Sequence, residues 1–204
     1  MKILFIESKL KNLNLNLDKS EIQKLPKKLF LAYSIQYKDI ASLVKKQLES
    51  NNIKISKIQQ VLGCSKVNTT DPILLIGAGR FHASNLYLQA PSIYVLENNK
   101  IVKISDEEIN KAKTKKKAAL LKFLNATNIG IIITTKPGQE NLNLAIKLKS
   151  KLEKKGKKTY LFISNNIDIN QFENFPIDSW INTACPGLAS DNPKIINYQD
   201  IINL

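Results

Sequence analysis

The sequence predicts an α/β protein made of two similar small domains, each built on a parallel sheet and together preceded by an orphan strand. Three observations support this. Short, all-apolar, β-branched runs suit buried parallel strands. Amphipathic helical patterns lie between them. A strand, polar loop, helix, strand plan also returns about 100 residues after its first appearance, and repetition at that period points to two domains of one kind, not to one large sheet. The expected divisions are a strand and connector over residues 1–24, a middle domain over 25–105 and a C-terminal domain over 106–204.

Taken in order, Lys2-Ile-Leu-Phe-Ile6 is strand-like, while residues 9–18 form an Asn/Leu/Lys segment with no clear element. One strand makes no domain, so it is expected to join the next sheet or complete a partner's. Residues 28–33 predict a strand, followed by a polar loop containing Gln36. A helix follows over residues 39–49, with Ile40, Leu43, Val44 and Leu48 on one face and Asp39 near its positive end. Asn51-Asn52 breaks it, residues 53–58 return as a strand, and Cys64 comes after. Residues 72–76 form a buried type of strand leading into Gly77-Ala78-Gly79-Arg80-Phe81-His82, and residues 92–96 are strand-like again.

A lysine-rich helix is expected over residues 106–125, with Asp106, Glu107 and Glu108 first and lysines later, the order that complements the helix dipole. Residues 128–134 predict a buried strand ending in the loop Thr135-Lys136-Pro137-Gly138-Gln139. The next helix shows Leu142, Ala145, Ile146, Lys149 and Leu152 at three- and four-residue spacing, and Gly156 supplies its stop. Residues 158–163 then return as a strand, and the crossover between the two strands should be right-handed. A last strand-like stretch, 179–181, precedes Cys185.

Composition narrows the function classes. An apolar fraction of 43% in 204 residues is enough for a real core. No stretch approaches the roughly 20 apolar residues of a membrane-spanning helix, and the opening residues lack a signal-peptide pattern, so a cytoplasmic protein without a membrane partner is expected. The net charge of +14 comes almost wholly from lysine, in runs such as Lys115-Lys116-Lys117 and Lys154-Lys155-Gly156-Lys157-Lys158. Such charge attracts anionic partners, including nucleic acid. These lysines are nonetheless spread over helical segments without interleaved stacking aromatics, which suits solvated faces better than a single-strand binding surface.

Three places could carry chemistry. Gly77-Ala78-Gly79 lacks the third glycine of a dinucleotide fingerprint, and Arg80 and His82 occupy the turn, so a tight anion-facing turn is the better physical reading. His82 is the only histidine, which excludes a histidine-rich metal site. The loop at Lys136, Gly138 and Gln139 lies where a parallel strand gives way to a helix, where open α/β sheets bind ligands; an ordinary helix-start turn is the alternative. Cys64 and Cys185, 121 residues apart, both follow apolar segments beside turn formers. Taken singly, each is better explained as a small buried hydrophobe than as a ligand. As a pair they are one short of the three thiolates that an open-site 4Fe–4S cluster needs.

In order and spacing, Val61-Leu62-Gly63-Cys64, Ile76-Gly77-Ala78-Gly79-Arg80-Phe81-His82, Thr134-Thr135-Lys136-Pro137-Gly138-Gln139 and Asn182-Thr183-Ala184-Cys185-Pro186 resemble the motifs of the archaeal diphthamide-synthesis radical enzymes, the 2-(3-amino-3-carboxypropyl)histidine synthases. Leu25-Pro26-Lys27-Lys28 before the first repeat strand is similar too, so the likeness covers roughly residues 25–200. The resemblance implies a pseudo-threefold fold of three related α/β domains, each giving one cysteine to a central 4Fe–4S cluster, of which this chain carries the second and third. It implies that S-adenosylmethionine binds at the open iron and is cleaved to a 3-amino-3-carboxypropyl radical. That radical adds to a histidine of translation elongation factor 2, the first step of diphthamide biosynthesis. Cys64 and Cys185 become the cluster ligands. Gly77, Gly79, Arg80 and His82 line the central cleft, as do Lys136, Gly138 and Gln139, which meet the amino-acid end of the cofactor. Gln36, in the equivalent loop of the first repeat, is a further candidate.

The departure from the family is the first domain with its cysteine. One expectation is a split transferase, in which a separate chain supplies that domain and the third ligand, a homodimer of that assembly being one form it can take, with the strand at residues 3–6 marking the docking edge. A second is a catalytically inactive paralogue that scaffolds an intact enzyme or binds elongation factor 2. A third, from a different class, is a basic RNA-associated module without iron.

Overall fold

Alternating and continuous apolar runs dictate where the strands fall, and the helices follow from the amphipathic stretches between them. The computed structural model describes residues 6–8, 10, 17–77, 83, 86, 87 and 89–202. The chain divides into two units, Met1–Asn110 and Lys111–Leu204. No helix among the described residues is long and apolar enough to cross a membrane.

In the first unit a helical turn, α1 (Lys19–Ile22), precedes β1 (Lys28–Tyr33), α2 (Lys38–Ser50), β2 (Lys54–Gln60), β3 (Ile73–Ile76), β4 (Ile93–Glu97) and β5 (Lys100–Lys103). The sheet order is β2-β1-β3-β4-β5, parallel through β4. Leu29, Leu31, Leu74, Ile76 and Leu96 face a core completed by Ile40, Ala41, Val44 and Leu48 of α2. The alternate residues Phe30, Ile73, Leu75, Ile93 and Val95 are also buried, as expected of a sheet covered on both faces. The fourth apolar residue expected on the buried face of α2 is the exception. Leu43 is 57% exposed, and Ala41 takes the place next to the sheet. Five apolar residues cannot all fit one narrow stripe of a 13-residue helix, and the smaller residue lets the helix approach closely.

Two turns are set by asparagine. α2 ends with Asn52 at φ 61°, and the N–H of Ile53 donates to the Leu48 carbonyl while that of Asn52 donates to Glu49. This is a Schellman stop, with asparagine taking the left-handed position. Asn98 and Asn99, at φ 47° and 63°, turn β4 back into β5, which pairs with it antiparallel. That hairpin adds an antiparallel edge strand, not expected from the sequence, to an otherwise parallel sheet. The strand expected over residues 2–6 lies outside the described residues apart from Ile6, which is exposed and outside any strand.

Helix α3 (Asp106–Asn125) leads into the second unit. There β6 (Asn128–Thr134), α4 (Leu142–Lys154), β7 (Lys158–Ser164), β8 (Ser179–Asn182), the short α5 (Leu188–Asp191) and β9 (Ile195–Asn197) follow. The order β7-β6-β8-β9 is wholly parallel. Ala119 and Phe123 of α3 and Ala145, Leu148 and Leu152 of α4 pack on one face with Ile129, Ile131, Ile133 and Ile181. Ile146, expected to be buried, is 49% exposed, and Leu148 holds its place. Lys149 lies along this boundary, donating to the Thr159 carbonyl at 2.8 Å and pairing with Glu153. On the opposite face Trp180 packs with Ile132, Ile195, Phe162 and Phe172. Gly156, at φ 79°, ends α4 in the same Schellman geometry as Asn52 ends α2.

Candidate functional site

Both sheets put their second strand outside their first and then cross back to the other side. The connection therefore reverses between β1 and β3 in the first unit and between β6 and β8 in the second. The crevice outside the carboxyl ends of such strand pairs is where open α/β sheets bind ligands. Every described candidate residue from the sequence sits on a loop leaving the carboxyl end of a strand.

In the second unit the crevice is closely hydrogen-bonded. The Thr134 hydroxyl donates to the Asn165 carbonyl at 3.1 Å and accepts from the Lys136 N–H at 3.2 Å. Pro137 and Gly138, the latter at φ 77°, turn the chain so that the Gln139 N–H donates to the Lys136 carbonyl at 3.0 Å. Proline followed by a positive-φ glycine is the signature of a type II turn, and it leaves Lys136 and Gln139 exposed. Asn141 holds the capping position of α4 but makes no cap bond. Its amide donates across the crevice to the Thr183 carbonyl at 2.8 Å, tying the loop after β6 to the loop after β8. Thr183 reinforces this, its hydroxyl donating to the Ile132 carbonyl at 2.8 Å.

Cys185 sits within that lattice. The buried Asn182 side chain donates to the Cys185 carbonyl and to the Asn197 side chain, each at 2.8 Å, and accepts from the Ala184 N–H at 2.9 Å. Asn197 in turn donates to the Pro186 carbonyl at 3.2 Å. The backbone on either side of the cysteine is thus fixed, while its thiol is free and half-buried. In the sequence Asn182 and Thr183 stand out only as parts of a motif, with no sign of this role. Asn141 and Asn197 were missed, because an asparagine that reaches another loop leaves no local pattern.

In the first unit Cys64 is a free, exposed thiol in the turn after β2. The turn is closed by Leu62 N–H donating to the Ser65 hydroxyl at 2.8 Å and Ser65 N–H donating to the Leu62 carbonyl at 3.0 Å. Beside it Leu62 is 54% exposed. The two cysteines do not occupy equivalent places in the repeat. Cys64 follows the second strand of its unit and Cys185 follows the third of its own. Gln36 lies between β1 and α2, exposed, with its carbonyl accepting from the Leu10 N–H at 3.1 Å. Gly77 is buried at the end of β3. Gly79, Arg80 and His82 lie outside the described residues.

The donor chemistry fits thiolate ligation, since both cysteines are unpaired and lie on strand-end loops that can present sulfur outward. The number falls short of three. Among the described residues no group of three or more His, Cys, Asp or Glu side chains is placed to hold a metal ion.

Comparison with known proteins gives a consistent result. A family model for diphthamide synthesis proteins matches residues 1–199. The chain is 28% identical to the 2-(3-amino-3-carboxypropyl)histidine synthase of Pyrococcus horikoshii, over 84% of this chain and 54% of that protein. It is 32% identical to the synthase of the same name from Methanocaldococcus jannaschii, over 81% and 47%. The crystal structure of Dph2 from Pyrococcus horikoshii with a 4Fe-4S cluster superposes with a TM-score of 0.75 at 26% identity, over 89% of this chain and 58% of that one. The chain thus spans about half the length of the curated archaeal relatives it matches.

Proposed function

This chain belongs to the diphthamide synthesis family, and from that membership we propose that it is a subunit of the iron–sulfur transferase that moves the 3-amino-3-carboxypropyl group of S-adenosylmethionine onto a histidine of translation elongation factor 2. The observation that carries the proposal is the placement of Cys64 and Cys185. Both are free thiols on loops at the carboxyl ends of parallel strands, in a chain matched along nearly its whole length to the family.

In this reading Cys64 and Cys185 hold a 4Fe–4S cluster as thiolates. When bound, the cluster supplies the electron that cleaves S-adenosylmethionine and frees the transferred group. The remaining work is done by this chain's own residues. Asn182 and Asn197 hold the backbone on either side of Cys185, so the loop that carries its sulfur is fixed. Lys136, exposed on the turn that precedes α4, provides a cation for the carboxylate of the amino-acid end.

The proposal extends to a partner. Two cysteines fall one short of three thiolates, and the matched part of this chain covers 54% and 47% of two archaeal relatives. We assign the third ligand to a separate chain carrying a related α/β domain. The test is iron and acid-labile sulfide content after anaerobic reconstitution, for this chain alone and co-expressed with a candidate short chain bearing one such cysteine. About four irons per complex, found only with the partner, is the expected result. Iron at background level in both preparations would instead favour a scaffold role, with the cysteines as ordinary thiols.

A further inference from the structure

Ser34 is the residue immediately after β1 and the capping residue of the short 3-10 turn Ile35–Tyr37. A serine there ordinarily turns its hydroxyl back onto an N–H of the following turn. This one makes no cap bond. The side chain is 6% exposed, and its oxygen has no hydrogen-bond partner among the described residues. Such a burial costs free energy and calls for an explanation.

The direction of the hydroxyl supplies one. It points across the crevice to the end of β3, where a β-carbon built on Gly77 would lie 3.4 Å from the Ser34 oxygen and 3.8 Å from its β-carbon. The Ser34 N–H is already spent on the Ile76 carbonyl, at 3.0 Å, so the side chain alone is left over. The place is the reversal point between β1 and β3. The matching crevice of the second unit has its hydroxyls and amides satisfied: Thr134, Thr183 and Asn141 all bridge within the protein. The two other buried hydroxyls without a partner, Thr159 and Ser179, sit at the amino ends of β7 and β8, so among the described residues an unspent hydroxyl at a crevice is found only in the first unit.

We propose that Ser34, with Gly77 opposite, is a hydrogen-bonding subsite for the neutral nucleoside end of the small-molecule substrate. This rests on the reading that the protein binds S-adenosylmethionine. The amino-acid end carries a carboxylate and an ammonium, which demand charged partners. The charged residues that follow Ser34 are engaged elsewhere: Lys38 pairs with Glu7 at 3.5 Å, and Asp39 sits in the first turn of α2, where it balances the dipole. What remains is one hydroxyl able both to give and to accept a hydrogen bond, which matches a ribose hydroxyl or a purine ring nitrogen.

The test uses the cluster-loaded protein defined by the iron measurement, with binding of S-adenosylhomocysteine and of 5′-methylthioadenosine, which lacks the amino-acid tail, measured by calorimetry. Ser34→Ala removes the hydroxyl; Gly77→Ala keeps it and fills the space before it. Both variants are expected to weaken both ligands, Ser34→Ala by about five- to tenfold. Ser34→Ala is also expected to raise the thermal midpoint of the ligand-free chain, because a buried unpaired hydroxyl disappears. Unchanged affinities in both variants would overturn the subsite while leaving the proposed function standing. Weakening of S-adenosylhomocysteine alone would move the site to the amino-acid end and equally overturn it. A wild-type protein that binds neither ligand would remove the functional reading on which the subsite depends.

Discussion

The pairing of β6 with β8 carries the loops of Lys136 and Cys185, and one contact fixes it. Gly130 in β6 stands opposite Trp180 in β8. A β-carbon at residue 130 would lie 2.3 Å from both Cε3 and Cζ3 of the indole and 3.0 Å from Cδ2. Ordinary carbon contacts are about 3.5–4.0 Å, so Gly130→Ala forces the ring or the strand to retreat by more than about 1 Å. The ring has little room to do so. It is stacked on Phe172 at a centroid distance of 4.3 Å and meets Phe162 edge-on at 4.6 Å. Overpacking costs about 1–3 kcal/mol, and disturbing two aromatic pairs adds about 0.5–1.5 kcal/mol each, so a loss of about 3 kcal/mol is expected.

Trp180 is the only tryptophan, so its emission reports on this unit alone. In urea the midpoint followed by fluorescence should fall by roughly 1–2 M, and the native emission should shift as the ring leaves its aromatic cage. Gly156→Ala is the control. Its φ of 79° strains an alanine, but nothing lies within 4 Å of the added carbon. It should cost about 1 kcal/mol and leave the emission unchanged. A Gly130→Ala variant within about 1 kcal/mol of wild type, with native emission, would refute the packing argument.

Other expectations can be checked on the same material. Cys64→Ala and Cys185→Ala should each reduce reconstituted iron to background, and Cys64→Ala, being at an exposed site, should leave the unfolding midpoint within about 0.5 kcal/mol of wild type. Asn182→Ala strips two donated bonds and one accepted bond from the Cys185 loop. It should cost about 1–3 kcal/mol and raise the alkylation rate of Cys185 severalfold; an unchanged rate would show that the loop is held by other means. The Asp178 carboxyl lies below the ordinary aspartate range because the Asn128 N–H, at 2.7 Å, and the Thr127 N–H, at 3.0 Å, donate to it, outweighing desolvation. Its folded pKa is lower than the unfolded one, so its stabilisation is complete above the unfolded value and is lost as pH falls through the folded value. Asp178→Asn should therefore destabilise at neutral pH, with the gap to wild type closing in acid; a gap that does not change with pH would exclude this role.

The strands and helices were legible where one signal dominated. Asn128–Thr134 and Asp106–Asn125 emerged with the bounds expected, the first as a continuous β-branched run and the second between an acidic start and a polar end. Leu43 and Ile146 misled because a helix face with more apolar residues than room does not reveal which one faces water; that choice belongs to the sheet beneath. The β4–β5 hairpin was legible in principle from Asn98-Asn99, but four residues with lysine at each end carry too weak an alternation to register as a strand. For the site, the cysteines and the Pro-Gly turn could be found because their chemistry is local. The contributions of Asn141, Asn182 and Asn197 depend on loops 15 to 42 residues apart meeting in space, and no spacing rule encodes that. Ser34 is the opposite case, since its significance lies in a bond it does not make.

The most direct test of the central claim is transfer itself. The cluster-loaded protein, with the proposed partner chain, would be incubated anaerobically with S-adenosylmethionine, a strong reductant and unmodified elongation factor 2, and the factor examined by mass spectrometry. One 3-amino-3-carboxypropyl group on a single histidine is expected, lost when either Cys64 or Cys185 is replaced by alanine. A factor left unmodified by the cluster-loaded protein would contradict the claim.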